Sequence, residues 1–513
     1  MSEVARRWAA RTPDEPALCD VRSTLTWSQL DSVLNRGTNA LLGLGLDPAR
    51  DSVAICAENS VEVVIGHLCG ALAGISTVPV NDRLTAAELA YILGDAGSVV
   101  VLAGPETLSV ARAAARLVGE VRVIAWRAGG DRGLTWEGIL TSGADVEPPS
   151  DMPPRPYLHY TSGTTGKPKA VHTPPTIYQG EATVREHIAA SATNAMAAGA
   201  ASLVVSPLYH GAGLHYIKTL AAGAKLVVLG RFAPEPTLAA IQEHRITATT
   251  MVPTHFTRLL ALPAEVRERY DLSSLRMVMH TGAACPADVK RRMIDWFGPV
   301  LVEVYGATES GGATMITSAE WLERPGSVGR AMAPFEILAV GPDGRPVAPG
   351  EVGELYLRDT TGHGIVYRQD PVKTGQVHLA PGVFTLGDVG YVDDQGYVFI
   401  TDRVVDMVVS GGVNIYPAEA EQVLLTHPQV ADVACIGVPH HELGEELKAL
   451  VIPRDPADPP DPEVLIESCR GRLAVYKCPR SVDLVTDIGR TALGKVDKRA
   501  LRAPYWPTER TVG

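Results

Sequence analysis

TSGTTGKPK, running from Thr161 to Lys169, sets the hydroxyls of Thr161, Ser162, Thr164 and Thr165 among Gly163, Gly166, Lys167 and Lys169. Glycine lets a backbone approach an anion closely and turn N–H groups towards it, while hydroxyls donate hydrogen bonds and lysine adds a point charge. The stretch therefore suits a triphosphate. A flexible polar surface loop has the same Gly, Ser and Thr content. This one, however, follows an apolar-aromatic run, Tyr157 to Tyr160, that reads as a strand, and it carries cations as well as turn residues.

The common phosphate-binding loop needs Gly, four residues, then Gly-Lys and Ser or Thr. Here Thr161 stands where the first Gly belongs, and Pro168 follows Lys167, which would disturb the helix that normally begins there. The stretch instead resembles the signature loop of the adenylate-forming superfamily: acyl-CoA synthetases, free-standing adenylation domains and luciferases. The resemblance implies an α/β fold, with a large N-terminal AMP-binding domain containing a β-rich subdomain, followed by a small mobile α+β C-terminal domain.

Composition agrees with that scale. A chain of 513 residues is too long for one ordinary core, so two or more domains are expected. With 46% hydrophobic and 20% charged residues it reads as globular, and a net charge of -12 argues against a nucleic-acid binder. The seven cysteines show no CxxC pair and no His partner at metal-ligand spacing, so neither a zinc site nor a disulfide framework is supported. Their odd number fits a reducing compartment. The N-terminal stretch MSEVARRWAARTPDEP has no apolar core of signal-peptide length, the apolar stretch Ala212 to Leu229 is interrupted by His215, Lys218 and Lys225, and the terminal TVG is no peroxisomal address. A cytoplasmic protein without membrane spans is expected.

Residues 1–150 alternate amphipathic helices (Trp27 to Leu46, Val61 to Leu72, Thr85 to Leu93) with short buried strands (Val53 to Cys56, Thr77 to Val80, Ser98 to Leu102), an α/β scaffold. The alanine-rich stretch Ala189 to Ala201 is expected to be helical. Further strands are expected at Ser202 to Val205, Lys225 to Leu229, Ala248 to Val252 and Met277 to His280, with a helix from Pro236 to His244. From Phe335 the texture becomes Gly- and Asp-punctuated strands, which suggests a β-rich subdomain over residues 335–402. A polar turn, TDR, at Thr401 to Arg403 marks the boundary between domains 1–402 and 403–513.

The remaining motifs follow in order. In VYGATES, Tyr305 and Gly306 offer an aromatic face with close backbone access, suited to a purine, while Thr308 and Glu309 supply a hydroxyl and a carboxylate. Taken alone this is as readily a helix start with a favourable acid. The resemblance implies that it holds adenine, phosphate and, through Glu309, Mg2+, which on a nucleotide takes one or two carboxylates. HTGAACP resembles the family's small-residue turn beside adenine and acyl group, making Gly282, Ala283 and Ala284 binding candidates. Asp388, in TLGDVGY, reads as the end of an apolar strand and matches the family acid that accepts the ribose hydroxyls. Arg403 matches the family arginine on ribose and phosphate. Val405 stands at the hinge position, where relatives usually carry Asp or Lys. Gly411 and Gly412 resemble the loop that lines a pantetheine tunnel. Lys495, after Gly494, would be read as an exposed lysine on a turn, but it matches the family's mobile catalytic lysine.

The resemblance thus implies that a carboxylate attacks the α-phosphate of MgATP, giving acyl-AMP and pyrophosphate, after which the small domain turns and the thiol of coenzyme A displaces AMP. Amino-acid-activating relatives present an Asp in the segment matching PLYHGAG, whereas Ser206 to Leu220 contains no acid. His210 there resembles the aromatic gate of acyl- and aryl-CoA ligases, with a structural histidine as the alternative. Small residues at Gly211, Ala212 and Gly213 suggest a wide pocket for a bulky alicyclic, aromatic or polyketide-like acid. A ligase that loads a carrier-protein phosphopantetheine, a luciferase-like oxygenase and a non-catalytic nucleotide sensor are the alternatives.

Overall fold

Capping residues open the first helices of the N-terminal part. Thr26 accepts from the Gln29 N–H while the Gln29 side chain accepts from the Thr26 N–H, starting the helix Trp27–Gly43. Thr85 and Glu88 do the same for Ala86–Ala96, and Ser60 caps Val61–Leu72. Such reciprocal capping satisfies backbone donors that a helix start otherwise leaves orphaned. Between these helices run Ser52–Cys56, Ser76–Val80 and Ser98–Ala103, adjacent parallel strands of a five-stranded sheet. Ser52–Cys56 is buried at every position, as a strand covered on both faces requires.

The computed structural model describes residues 5–128, 134–161, 169–171, 181–192, 201–210, 219–367, 370–403, 406–410, 413–440, 443–473, 475–490 and 495–506. A larger sheet has a parallel centre formed by Leu301–Ala307, Met277–His280, Ala248–Met251, Ala201–Val204, Lys225–Val228 and Pro16–Asp20, in that spatial order. Leu301–Ala307 then reverses into Gly311–Thr317, and every pairing beyond it, out to Phe335–Val340, is antiparallel. The antiparallel region therefore begins at Gly311, earlier than the change of texture at Phe335. The reversal needs a glycine: a Cβ on Gly306 would lie 1.9 Å from the Gly311 carbonyl oxygen.

Two expectations are corrected. Thr401 to Arg403 is not a turn but the end of the strand Tyr397–Arg403, whose polar residues are accommodated by pairing: Arg403 lies opposite Asp388 and Asp402 opposite Val389. The alanine-rich stretch Ala189 to Ala201 is helical only to Ser191 among the described residues, and residues 193–200 lie outside them. Thr183 caps a helix at Val184–Ser191, which buries Val184 and Ile188, and Ala201 already opens a strand.

Downstream, Val413–Ile415, Val408–Ser410, Gly444–Pro453, Val430–His440 and Ser481–Leu484 form a separate five-stranded sheet. The helices Pro417–Leu425 and Pro462–Arg470 contribute Ala420, Leu424, Leu465 and Cys469 to its core. None of the seven cysteines is in a disulfide. No helix among the described residues is long and apolar enough to cross a membrane.

Three fully buried histidines make the N-terminal part acid-sensitive. Burial, and then the nearby His159, holds His67 down to about 3. Burial and then Arg258 do the same for His255, and burial and then Lys290 hold His280 well below the usual imidazole range. Below the unfolded value of about 6.5 the unfolded chain binds more protons than the folded one, so stability falls as pH falls from there towards about 3. Each histidine contributes a slope of about 1.4 kcal/mol per pH unit. Urea unfolding followed by circular dichroism between pH 7.5 and 5 should show a midpoint that drops steeply below about pH 6. A flat midpoint would refute the neutral burial of these rings.

Candidate active site

The strands His159–Thr161 and Lys169–Val171 pair antiparallel with Thr161 opposite Lys169, so the chain leaves and re-enters the signature stretch at adjacent points. Ser162, Gly163, Thr164, Thr165, Gly166 and Lys167 lie outside the described residues. Val171 forms a bridge to Tyr367, whose hydroxyl donates to Glu309 Oε1 at 3.5 Å. Burial, and then the neighbouring Glu309, pushes the Tyr367 hydroxyl upward, so it stays protonated and remains a donor. Lys373 Nζ sits 3.7 Å from the centre of the Tyr367 ring. Tyr367 thus joins the base of the signature hairpin to the candidate metal ligand. Sequence reasoning missed it, because one tyrosine in an apolar stretch looks like any core aromatic. The half-buried Glu309 carboxylate fits a hard cation that arrives with phosphates and needs one or two protein carboxylates.

The Tyr305 hydroxyl donates to Asp388 Oδ2 at 2.7 Å, joining two expected site residues far apart in sequence. Asp388 does not end its strand. It sits within Val383–Val392, after Gly387 at φ 78°, and the register opposite slips between Val389 and Gly390. Such an irregularity re-aims side chains along an otherwise alternating strand. Gly282, Ala283 and Ala284 follow Met277–His280, the parallel neighbour of the strand carrying Tyr305, and so lie beside it at the carboxyl ends of the strands. Gly282 has φ 89°, a conformation that favours glycine. Thr308 is half-buried. Of Arg403 only the backbone is described, directly opposite Asp388.

Asn59, which the sequence does not single out, staples the loop before His210. Its Oδ1 accepts from the Leu208 N–H at 2.7 Å, and its Nδ2 donates to the carbonyls of Ser206 at 2.9 Å and Leu229 at 3.2 Å. Three bonds from one amide fix a segment that belongs to no strand. The ring of Tyr209 lies 4.4 Å from that of His210. Burial, then the charge of Lys495, then His159 bring His210 down to about 3, so it is neutral at pH 7. Lys495 is itself exposed, yet its charge acts on a ring in the N-terminal part. The structure therefore brings together Tyr305 with Asp388, and Glu309 with the signature hairpin through Tyr367. Val405, Gly411 and Gly412 lie outside the described residues.

Residues 5–364 match the AMP-binding enzyme family and residues 419–495 match the AMP-binding enzyme C-terminal domain. The chain is 32% identical to an indoleacetate–CoA ligase of Aromatoleum aromaticum, over 98% of this chain and 97% of that protein. It is 34% identical to a feruloyl-CoA synthase of an Amycolatopsis species, over 97% and 98%. Among solved structures, the amide bond synthetase McbA of Marinactinospora thermotolerans superposes with a TM-score of 0.83 at 27% identity, over 98% of this chain and 100% of that one.

Proposed function

Because the chain belongs to the AMP-binding enzyme family, we propose that it is an ATP-dependent acid–thiol ligase which makes an acyl-coenzyme A from a bulky, most readily aromatic, carboxylic acid. A carboxylate oxygen of the acid attacks the α-phosphorus of ATP, and the bond from that phosphorus to the bridging oxygen breaks, releasing pyrophosphate. The sulfur of coenzyme A then attacks the acyl carbon; the carbon–oxygen bond to AMP breaks and AMP leaves. The observation that best supports this reading is the match of both parts of the chain, residues 5–364 and 419–495, to the AMP-binding enzyme family and its C-terminal domain.

The roles follow from the chemistry of each group. Thr161 to Lys169 clamps the β- and γ-phosphates. Tyr305, Gly306 and Gly282 to Ala284 border the adenine, Asp388 and Arg403 hold the ribose, and Thr308 contacts phosphate. Glu309, held by Tyr367, would bind the Mg2+ that accompanies ATP; the ion neutralises phosphate charge. Lys495 offsets the charge that develops as the carboxylate attacks. His210, neutral and beside the ring of Tyr209, gates the acyl pocket without adding a second cation to that of Lys495. Residues 403–513 form the domain that turns on Val405, bringing Gly411 and Gly412 to the pantetheine for the second half-reaction.

The relatives named for indoleacetate and ferulate support an aromatic acid, as does the sequence Ser206 to Leu220, which has no carboxylate to pair an ammonium group. The test is ATP–pyrophosphate exchange over a carboxylic-acid library, with mass detection of the thioester formed with coenzyme A or with a holo carrier protein. Aryl-acetic and aryl-acrylic acids should exceed acetate and propionate in kcat/KM by at least about 10–200-fold, the range a well-filled apolar pocket supplies. Highest activity with acetate or propionate would overturn the substrate class. Thioester on the carrier protein alone would reassign the acceptor.

A further inference from the structure

Lys495 sits in a short segment tied down on both sides. Before it, Arg490 pairs with Val496, the residue that follows the lysine, in an antiparallel bridge; residues 491–494 between them lie outside the described residues. The guanidinium of Arg490 grips Asp432 with two bonds, Nε to Oδ2 at 2.5 Å and a terminal nitrogen to Oδ1 at 2.6 Å. After it, Lys498 Nζ lies 2.9 Å from Glu421 Oε1. That same oxygen accepts the Cys435 N–H at 2.6 Å, so the acid is anchored before it meets the lysine. Asp497 caps the helix Lys498–Arg502 by accepting from the Ala500 N–H at 3.0 Å. Asp432 and Cys435 lie on the strand Val430–His440 and Glu421 on the helix Pro417–Leu425, both packed in the core of the C-terminal sheet.

From this geometry we infer that Asp432 and Glu421 are positioning residues for adenylation: they hold the Lys495 segment as a fixed prong on the C-terminal sheet. A two-bond arginine–carboxylate fork sets orientation as well as distance. An exposed lysine with a long side chain gains most from a base that does not move, since a misplacement of about 1 Å far from the chemistry can cost about 10²-fold. Neither Asp432 nor Glu421 is assigned a contact with substrate, so their expected effect passes through Lys495. The inference rests on the proposed role of Lys495 and deepens it.

The experiment measures both half-reactions in the full-length protein: ATP–pyrophosphate exchange with saturating acid, and thioester formation from supplied acyl-AMP and coenzyme A. Asp432→Asn should lower kcat for exchange by about 10–10²-fold, with KM for ATP and acid within about twofold and the thioester step preserved. Glu421→Gln should act in the same direction and less strongly, because it loses one bond where Asp432→Asn loses a fork. The charge-swapped pair Asp432→Arg with Arg490→Asp should regain most of the exchange rate, an outcome that holds even where a single variant proves unstable. Proportional loss of both half-reactions, or exchange at the parent rate in Asp432→Asn, overturns the inference. Lys495→Ala serves as the control. If it loses exchange while Asp432→Asn does not, only the prong fails; if it keeps exchange, the role of the lysine fails first.

Discussion

Lys495→Ala is expected to lower the adenylation rate by about 10²–10³-fold, the usual consequence of removing one preorganised electrostatic group from a transition state. Thioester formation from supplied acyl-AMP should remain within a few-fold of the parent, because that step needs no cation at the α-phosphate. The contrast can be checked by pyrophosphate exchange against single-turnover thioester formation. Equal loss in both would refute the division of roles. His210 is held neutral by burial first and by the charge of Lys495 second. Removing the lysine should also let the His210 pKa rise from about 3 towards the ordinary imidazole range, though burial keeps it low.

The second large effect concerns stability. Lys290, 1% exposed, places Nζ 2.5 Å from Glu303 Oε2, and the same ammonium lies 4.7 Å from the centre of the Trp321 ring. His280 Nε2 is 3.9 Å from the same carboxylate oxygen. The pair ties the helix Ala287–Phe297, which follows the Gly282 to Ala284 turn, to the strand that carries Tyr305. Lys290→Met leaves a buried carboxylate without its cation and should cost about 3–5 kcal/mol. Burial already pushes Glu303 above the usual carboxylate range, with Lys290 opposing it. Without the lysine that rise grows. A carboxyl whose folded pKa exceeds its unfolded value is more stable below the unfolded value and loses stability as pH climbs through the folded one. The variant should therefore lose more at pH 8 than at pH 5. Lys290→Met combined with Glu303→Leu should recover most of the loss, since well-packed apolar residues commonly replace a buried pair at little cost. Chemical denaturation of the two single variants and the double tests this. A double variant as unstable as the singles would show that packing, not charge, dominates there.

The local elements were largely legible. Val61–Leu72 and Met277–His280 match their expected bounds, because apolar periodicity and a capping residue carry their own signal over a few positions. The misreadings arose where pairing decides. TDR looks like a turn until Asp388 is found opposite Arg403, and Asp388 looks like a strand end until the strand runs on to Val392. Tyr367 and Asn59 left no trace for the same reason. Each acts through a partner more than fifty positions away, Glu309 for one and the Leu208 N–H for the other.

By itself the sequence determined the family, the order of its motifs and the class of chemistry, since the signature stretch, the TLGDVGY motif and the near-terminal Gly-Lys each express their resemblance in a few adjacent residues. Only the tertiary structure decided which groups meet: Tyr305 with Asp388, and the signature hairpin with Glu309 through Tyr367. Those meetings depend on strand order and on burial, which sum contributions from the whole chain, and no short stretch contains them.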